Sequence, residues 1–203
     1  MTTIRSIPLV LLVSVATLLF PPSATASTWY VTQSGTGDAT TIQAGIDLAS
    51  TGDTVLVAPG VYTDTLLVTI QGEQKVANVH LTKEISLIAE GDTTNTIIDG
   101  RDSDVAIFVE GVGSGGLIQG FRISTVFAIF LCPAPSPGES DSEAQLAPQA
   151  DFRVGVWCEN SAVTIEHCAL EGNGIAVELH TSPVTIRGCR FARDARGVWC
   201  YSG

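Results

Sequence analysis

The chain has 203 residues and a formal net charge of −11, with 45% hydrophobic, 15% charged and 6% aromatic residues. That length suffices for one domain with a substantial core. Ten basic against 21 acidic residues exclude a phosphate-binding surface, and with it a nucleic-acid partner; low charge and good hydrophobicity exclude a disordered chain.

Residues 1–26 read as a signal peptide. Arg5 gives the positive start, Ile7 to Phe20 an apolar run, Pro21-Pro22-Ser23 a break, and Ala24-Thr25-Ala26 a small-x-small cleavage site. The run is short for a membrane span of about 20 residues. The mature domain is expected over residues 27–203, with no membrane span after cleavage. Its location is then secreted, extracellular or at the cell surface, and a periplasmic one also fits.

Thr40 to Ser50 carries a Thr cap and apolar residues at Ile42, Ile46 and Ala49, a helical spacing that Gly52 stops. A strand follows at Thr54 to Ala58, turned at Pro59-Gly60. Further strands are predicted at Leu66 to Ile70, Ile85 to Ala89, Thr96 to Ile98 and Val105 to Val109.

Internal repeats decide the fold. Val163-Thr-Ile-Glu-His-Cys-Ala-Leu170 superimposes on Val184-Thr-Ile-Arg-Gly-Cys-Arg-Phe191 without gaps, and Ile118-Gln-Gly-Phe-Arg-Ile123 is an earlier copy. A second element recurs as Gly155-Val-Trp-Cys158, Gly174-Ile-Ala-Val177 and Gly197-Val-Trp-Cys200. One such unit cannot bury its own apolar face, so neighbours must stack. The units are too short for paired helices and lack a leucine framework. The expected fold is all-β: a right-handed, single-stranded parallel β-helix, a solenoid with a short N-terminal helix as its lid. Its ladders would run through Ile118, Ile165 and Ile186, and through Phe121, Cys168 and Cys189. Gly120, His167 and Gly188 share a bend position that calls for positive φ.

Cys132 to Asp151 is Pro-rich, acidic and without strand periodicity. It is expected as an excursion from one coil, either a lid over a groove or a surface loop, with two irregular coils as the alternative. The final segment from Gly197 is half a repeat with no cap, which points to further C-terminal coils or a domain covering that end.

Candidate chemistry is sparse. Asp99, Asp102 and Asp104 on one turn form a candidate calcium site. Arg187 and Arg190 belong to the basic run of the last repeat and are the candidates for a catalytic base; Arg187 also stacks on Glu166 in the repeat alignment, as an ion pair. Cys168 and Cys189 are expected as stacked thiols, Cys132 and Cys158 as a candidate bridge at the base of the excursion, and Cys158 and Cys200 lie too far apart to bond. His80 and His180 show no partner cluster. No nucleophile elbow, phosphate loop or dinucleotide fingerprint occurs.

Thr41-Ile-Gln-Ala-Gly-Ile-Asp-Leu-Ala-Ser-Thr-Gly-Asp-Thr-Val-Leu-Val-Ala-Pro-Gly-Val-Tyr62 resembles the opening of secreted bacterial β-helix proteins of the pectin-lyase-like superfamily. Ile85 to Gly91, Thr96 to Gly100 and Gly155 to Cys168 resemble the strands and repeat that follow there. The resemblance implies the fold, but that superfamily spans lyases, hydrolases, esterases and adhesins. Of the polygalacturonase elements only Arg122-Ile-Ser124 comes near, its Lys replaced, and the Gln-Asp motif of pectin methylesterases is absent. The resemblance also implies acidic calcium sites in the lyases, spread over adjacent coils. The expected function is an extracellular or cell-surface module contacting polysaccharide without catalysis in this segment. The alternative is a polysaccharide lyase or glycoside hydrolase acting on an acidic polysaccharide.

Overall fold

A computed structural model describes residues 25–125 and 153–201. The leader up to residue 24, Cys132 and the excursion at 132–151 lie outside the described residues. Along the chain the elements are β1 (Thr28–Val31), α1 (Ile42–Leu48), β2 (Thr54–Val57), β3 (Gly60–Tyr62), β4 (Leu66–Ile70), β5 (Glu73–Leu81), β6 (Ser86–Ala89), β7 (Thr96–Asp99), β8 (Val105–Glu110), β9 (Leu117–Gln119), β10 (Arg122–Ser124), β11 (Val154–Glu159), β12 (Thr164–Glu166), β13 (Ala169–Glu171), β14 (Ile175–His180), β15 (Thr185–Arg187), β16 (Arg190–Ala192) and β17 (Arg196–Tyr201).

These strands form three sheets, ordered β1-β2-β6-β9-β12-β15, β3-β7-β10-β13-β16 and β4-β5-β8-β11-β14-β17. Every pairing but one is parallel, and each chain turn contributes one strand to each sheet. This is the parallel β-helix, with the right-handed crossover that parallel connections adopt. Val55, Leu87, Ile118, Ile165 and Ile186 stand in one column, and Tyr62, Ile98, Ile123, Leu170 and Phe191 in another. The third sheet adds the inward column Val79, Ile107, Val156, Val177 and Val198. The interior residues of these columns are almost wholly buried, each worth about 1.5–3 kcal/mol of transfer free energy. At the last rung the same columns open, and Val198 is 47% exposed.

The expected ladders hold. Phe121 and Cys168 are buried in the same core as the Ile column, with Cys189 packed on it. The strands β8, β9 and β10 pair directly with β11, β12 and β13. One alignment needs correcting. Val156 partners Val177 and then Val198, and Trp157 partners Glu178 and then Trp199. The residue level with Gly155 and Gly197 is therefore Ala176, and Gly174 sits in the turn before β14. Matching on glycine rather than on the coil repeat displaced that segment by two residues.

The bends follow from backbone sterics. Gly120, His167 and Gly188 all lie in the left-handed region, with φ of 85°, 50° and 59°. A second such ladder closes the third sheet: Gly111, Asn160 and Thr181, with φ of 64°, 50° and 50°. Each of its amides reaches the next rung, from Gly111 to the Glu159 carbonyl at 3.0 Å and from Asn160 to the His180 carbonyl at 3.0 Å.

At the N-terminal end α1 packs Ile42 and Ile46 inward beside β1, β2 and β5. The Thr41 hydroxyl caps it by accepting from the Ala44 amide at 3.1 Å. Its C-terminal carbonyls at Ile46, Asp47 and Ala49 accept from the Lys83 ammonium at 3.0, 3.2 and 2.8 Å, a cation where the helix dipole favours one. The antiparallel hairpin β4–β5 departs from the repeat and was not expected. Val68 and Ile70 alternate inward on β4, and Gln71-Gly72 makes the tight turn. The hairpin buries these two residues against Val105, Phe108, Val154 and Ile175, with Trp157 and Trp199 at the margin. It thus lies along the outer face of the third sheet.

Candidate functional site

The third sheet has the longest strands of the repeat, so its outer face offers the widest run of aligned side chains. Strand pairing places His80, Phe108, Trp157, Glu178 and Trp199 in one outward column. Two residues further along the strands, Glu110, Glu159, His180 and Tyr201 form a second. Adjacent rungs are about 4.8 Å apart, the distance at which flat rings stack, and they do. His80 lies on Phe108 with centroids 4.9 Å apart, Trp157 on His180 at 4.5 Å, and His180 on Tyr201 at 4.5 Å, all with nearly parallel planes. Trp199 tilts against Tyr201 at 5.9 Å and carries the Arg196 guanidinium 4.0 Å above its ring.

Because the rings lie face to face along the solenoid, their faces are used by one another. The outer surface therefore presents ring edges and polar tips. The Glu110 carboxylate pairs with His80 Nε2 at 3.1 Å. Glu178, only 5% exposed, accepts from His180 Nε2 at 2.9 Å. His180 Nδ1 then accepts from the Gln71 amide at 3.1 Å, which ties the hairpin turn to β14. Glu159 is half-buried between Glu110 and His180, and its carboxylate has no hydrogen-bond or ion-pair partner among the described residues. The Trp157 indole N–H is buried without an acceptor there. A rigid wall with open acceptors suits hydroxyl-rich or amine-bearing ligands.

The sequence candidates lie elsewhere. The described residues hold no group of three His, Cys, Asp or Glu side chains placed to share a metal ion, and two of the candidate calcium ligands, Asp99 and Asp104, are turned to other partners. Asp99 turns to Arg101, with Nε at 2.9 Å and Nη2 at 2.6 Å. Burial pushes its carboxyl up, but the bonds to the Arg101 side chain and amide outweigh this and leave its pKa below the ordinary value. Asp104 accepts from the Val76 amide at 2.7 Å, while Asp102 is exposed. Close spacing in sequence put the three on one turn, but Asp99 and Asp104 turn to different partners and Asp102 to solvent.

Arg187 pairs with Glu166 on the neighbouring rung, as the alignment predicts, and Arg190 pairs with Glu171. Both sit on the first and second sheets, away from the stacked rings. The four described cysteines are free thiols. Cys158 points into the core, where burial pushes its thiol up to about 12; Cys132, the other half of the candidate bridge, lies outside the described residues. The Cys168 thiol donates to the Glu166 carbonyl at 3.3 Å and Cys189 to the Ile165 carbonyl at 3.5 Å, so both behave as small core residues. His167 is a bend residue whose ring lies over Gly188. His80 and His180, read from sequence as having no partner cluster, each pair with a single carboxylate, Glu110 and Glu178. Glu110 stands one rung from His80, across coils of unequal length, whereas Glu178 lies two residues before His180 on β14 itself. The cue available in sequence was the shared Trp of Gly155-Val-Trp-Cys158 and Gly197-Val-Trp-Cys200.

No protein-family model matches the chain, and no curated protein matches it. Among solved structures, a pectin methylesterase mutant in complex with a hexasaccharide aligns over 83% of this chain and 50% of its own, with 17% identity and a TM-score of 0.45. The pectin methylesterase from Aspergillus niger, in penultimately deglycosylated form, aligns over 85% and 57% respectively, with 13% identity and a TM-score of 0.41. The chain spans about half the length of these structures. At such scores the likeness says nothing about activity.

Proposed function

We propose that this chain is an extracellular or cell-surface β-helix module that binds polysaccharide along the outer face of its third sheet, without catalysis in this segment. One observation carries the reading: the polar column Glu110, Glu159, His180 and Tyr201 repeats at rung spacing beside a stacked ring column. A repeating array of hydrogen-bonding groups on a stiff support matches a polymer of repeating hydroxyl groups. His180 argues against acid–base chemistry at its position, because both ring nitrogens are already engaged and neither is left to move a substrate proton. The leader pattern of residues 1–26 supports export. The exposed core residues of the last rung, Phe191 and Val198, support further coils or a domain on that face.

A second reading rests on Glu110 and Glu159. They are carboxylates on adjacent rungs, a separation compatible with glycoside hydrolysis through a paired acid and nucleophile. A lyase on acidic polysaccharide has less support, because Arg187 and Arg190 are both neutralised by glutamates.

A glycan-binding panel with the full chain, followed by calorimetry on any hit, tests the binding reading. Binding that Tyr201→Ala weakens, with no reducing ends or unsaturated products released, is the expected result. Turnover abolished by Glu159→Gln establishes the second reading instead, and no binding to any glycan refutes the first.

A further inference from the structure

Asp53 stands just before β2 and is 6% exposed. Its carboxylate gathers three donors: the Ser27 amide at 2.7 Å on Oδ1, and the Trp29 indole at 3.0 Å and the Ser50 amide at 2.8 Å on Oδ2. The Ser27 carbonyl accepts from the Thr54 amide at 2.8 Å, so Ser27 is held on both sides of its Cα, one residue before β1. Thr25 and Ala26 ahead of it are exposed and make no hydrogen bond or ion pair among the described residues. Anchoring therefore starts at Ser27, the residue that follows the Ala24-Thr25-Ala26 cleavage pattern.

All three donors are neutral, and none of the ion pairs among the described residues includes Asp53. The small pocket around Ser27 is lined by Trp29, Ser50, Thr51 and Gly52, and Asp53 is its one titratable group. A buried carboxylate is costly while it lacks a counter-charge. Hydrolysis of the Ala26–Ser27 bond supplies one at the atom already in contact. Water adds across the bond, Ala26 leaves as a carboxylate, and the Ser27 nitrogen takes up the protons as an ammonium. A cut one residue earlier or later moves that ammonium about 3.8 Å along the chain, out of bonding distance.

We propose that processing after Ala26 completes the fold: the new α-ammonium of Ser27 pairs with Asp53 and locks β1 onto β2, a contact that the precursor makes only through a neutral amide. The inference rests on the leader reading of residues 1–26. The charged bond is the stronger one, because an ionised donor on a carboxylate is worth roughly twice a neutral donor.

Expression of the full chain with its own leader in a secreting host, followed by N-terminal sequencing and intact mass, provides the first test. A product starting at Ser27 is expected. A start at another residue overturns the inference and leaves the leader reading, whereas retention of residues 1–26 removes both. The second test is the rate at which acetic anhydride acetylates the α-amine of that product at pH 7, with the site located by peptide mass. The carboxylate partner is expected to raise the amine pKa by about one unit from its ordinary 7.7–8.0, and so to slow the reaction about tenfold against a free peptide starting with serine. Asp53→Asn is expected to restore the peptide rate. Acetylation turns the ammonium back into a neutral amide and is expected to lower the melting temperature of the parent product. A parent amine that reacts at the peptide rate, an Asp53→Asn amine that stays slow, or a melting temperature unmoved by acetylation each overturns the inference.

Discussion

Glu178 and His180 sit two residues apart on β14, and the imidazole Nε2 lies 2.9 Å from the buried carboxylate. In a strand this spacing puts both on one side of the sheet, so the pair is built by local geometry. The surrounding stack makes it rigid, with Trp157 below the imidazole and Tyr201 above it.

His180→Phe keeps the ring in that stack but leaves the Glu178 carboxylate buried without its donor. The expected cost is about 1–3 kcal/mol, read as a lower urea midpoint. Glu178→Leu combined with His180→Phe is expected to recover most of it, since replacing both partners by apolar groups removes the stranded charge. A double variant no more stable than the single one contradicts the assignment.

The bends provide an independent measurement. Thr181 is β-branched yet has φ of 50°, a conformation costing about 1–2 kcal/mol for a non-glycine residue. Thr181→Gly is expected to stabilise the protein by about 1 kcal/mol in chemical denaturation. Gly120→Ala is expected to destabilise it, because φ is 85° and the new Cβ would come within 3.2 Å of the Ala89 Cβ.

Column position sets the cost of truncating the core. Ile165 is fully buried between Ile118 and Ile186, so Ile165→Ala is expected to cost about 2–5 kcal/mol. Ile186→Ala removes the same atoms from the open last rung and is expected to cost less. Equal losses in equilibrium unfolding would mean that the last rung is covered in solution.

Two aspartates at opposite ends of the stack respond to pH with opposite signs. The Ser27 amide, the Ser50 amide and the Trp29 indole hold the Asp53 carboxyl below the ordinary carboxylate range. Its stabilisation is present above the unfolded value of about 3.9 and is lost as pH falls through the folded pKa. Burial raises the Asp194 carboxyl despite its bonds to the Asn173 amide and side chain. Its contribution is fully present below about pH 3.9 and is lost as pH rises through the folded pKa. In urea midpoints taken from pH 3 to pH 7, Asp194→Asn is therefore expected to gain on the parent chain as pH rises, and Asp53→Asn to fall behind it. Parallel curves for the two variants contradict both assignments.

The solenoid was legible because its rungs align without gaps: Val163 to Leu170 and Val184 to Phe191 share Val, Thr, Ile and Cys at equivalent positions, and Ile, Cys and the bend residue stack where the alignment put them. Glu166 and Arg187 were found the same way. The hairpin β4–β5 was not, because it interrupts the repeat and its turn, Gln71-Gly72, is less telling than Asn-Gly. The stacked face was missed for a different reason. Which outward residues meet depends on coil length, and the coils ahead of β8 and β11 are longer than the final repeat. A histidine's neighbour one rung up is then invisible until the register is known.

Ile118 and Ile165 are direct neighbours across 47 residues of chain, whereas Ile165 and Ile186 are neighbours across only 21. Contour length and vertical order are thus decoupled in this architecture. Corners can acquire, lose or exchange long segments while the wall behind them keeps its spacing. Surface novelty therefore accumulates at the bends without renegotiating the interior.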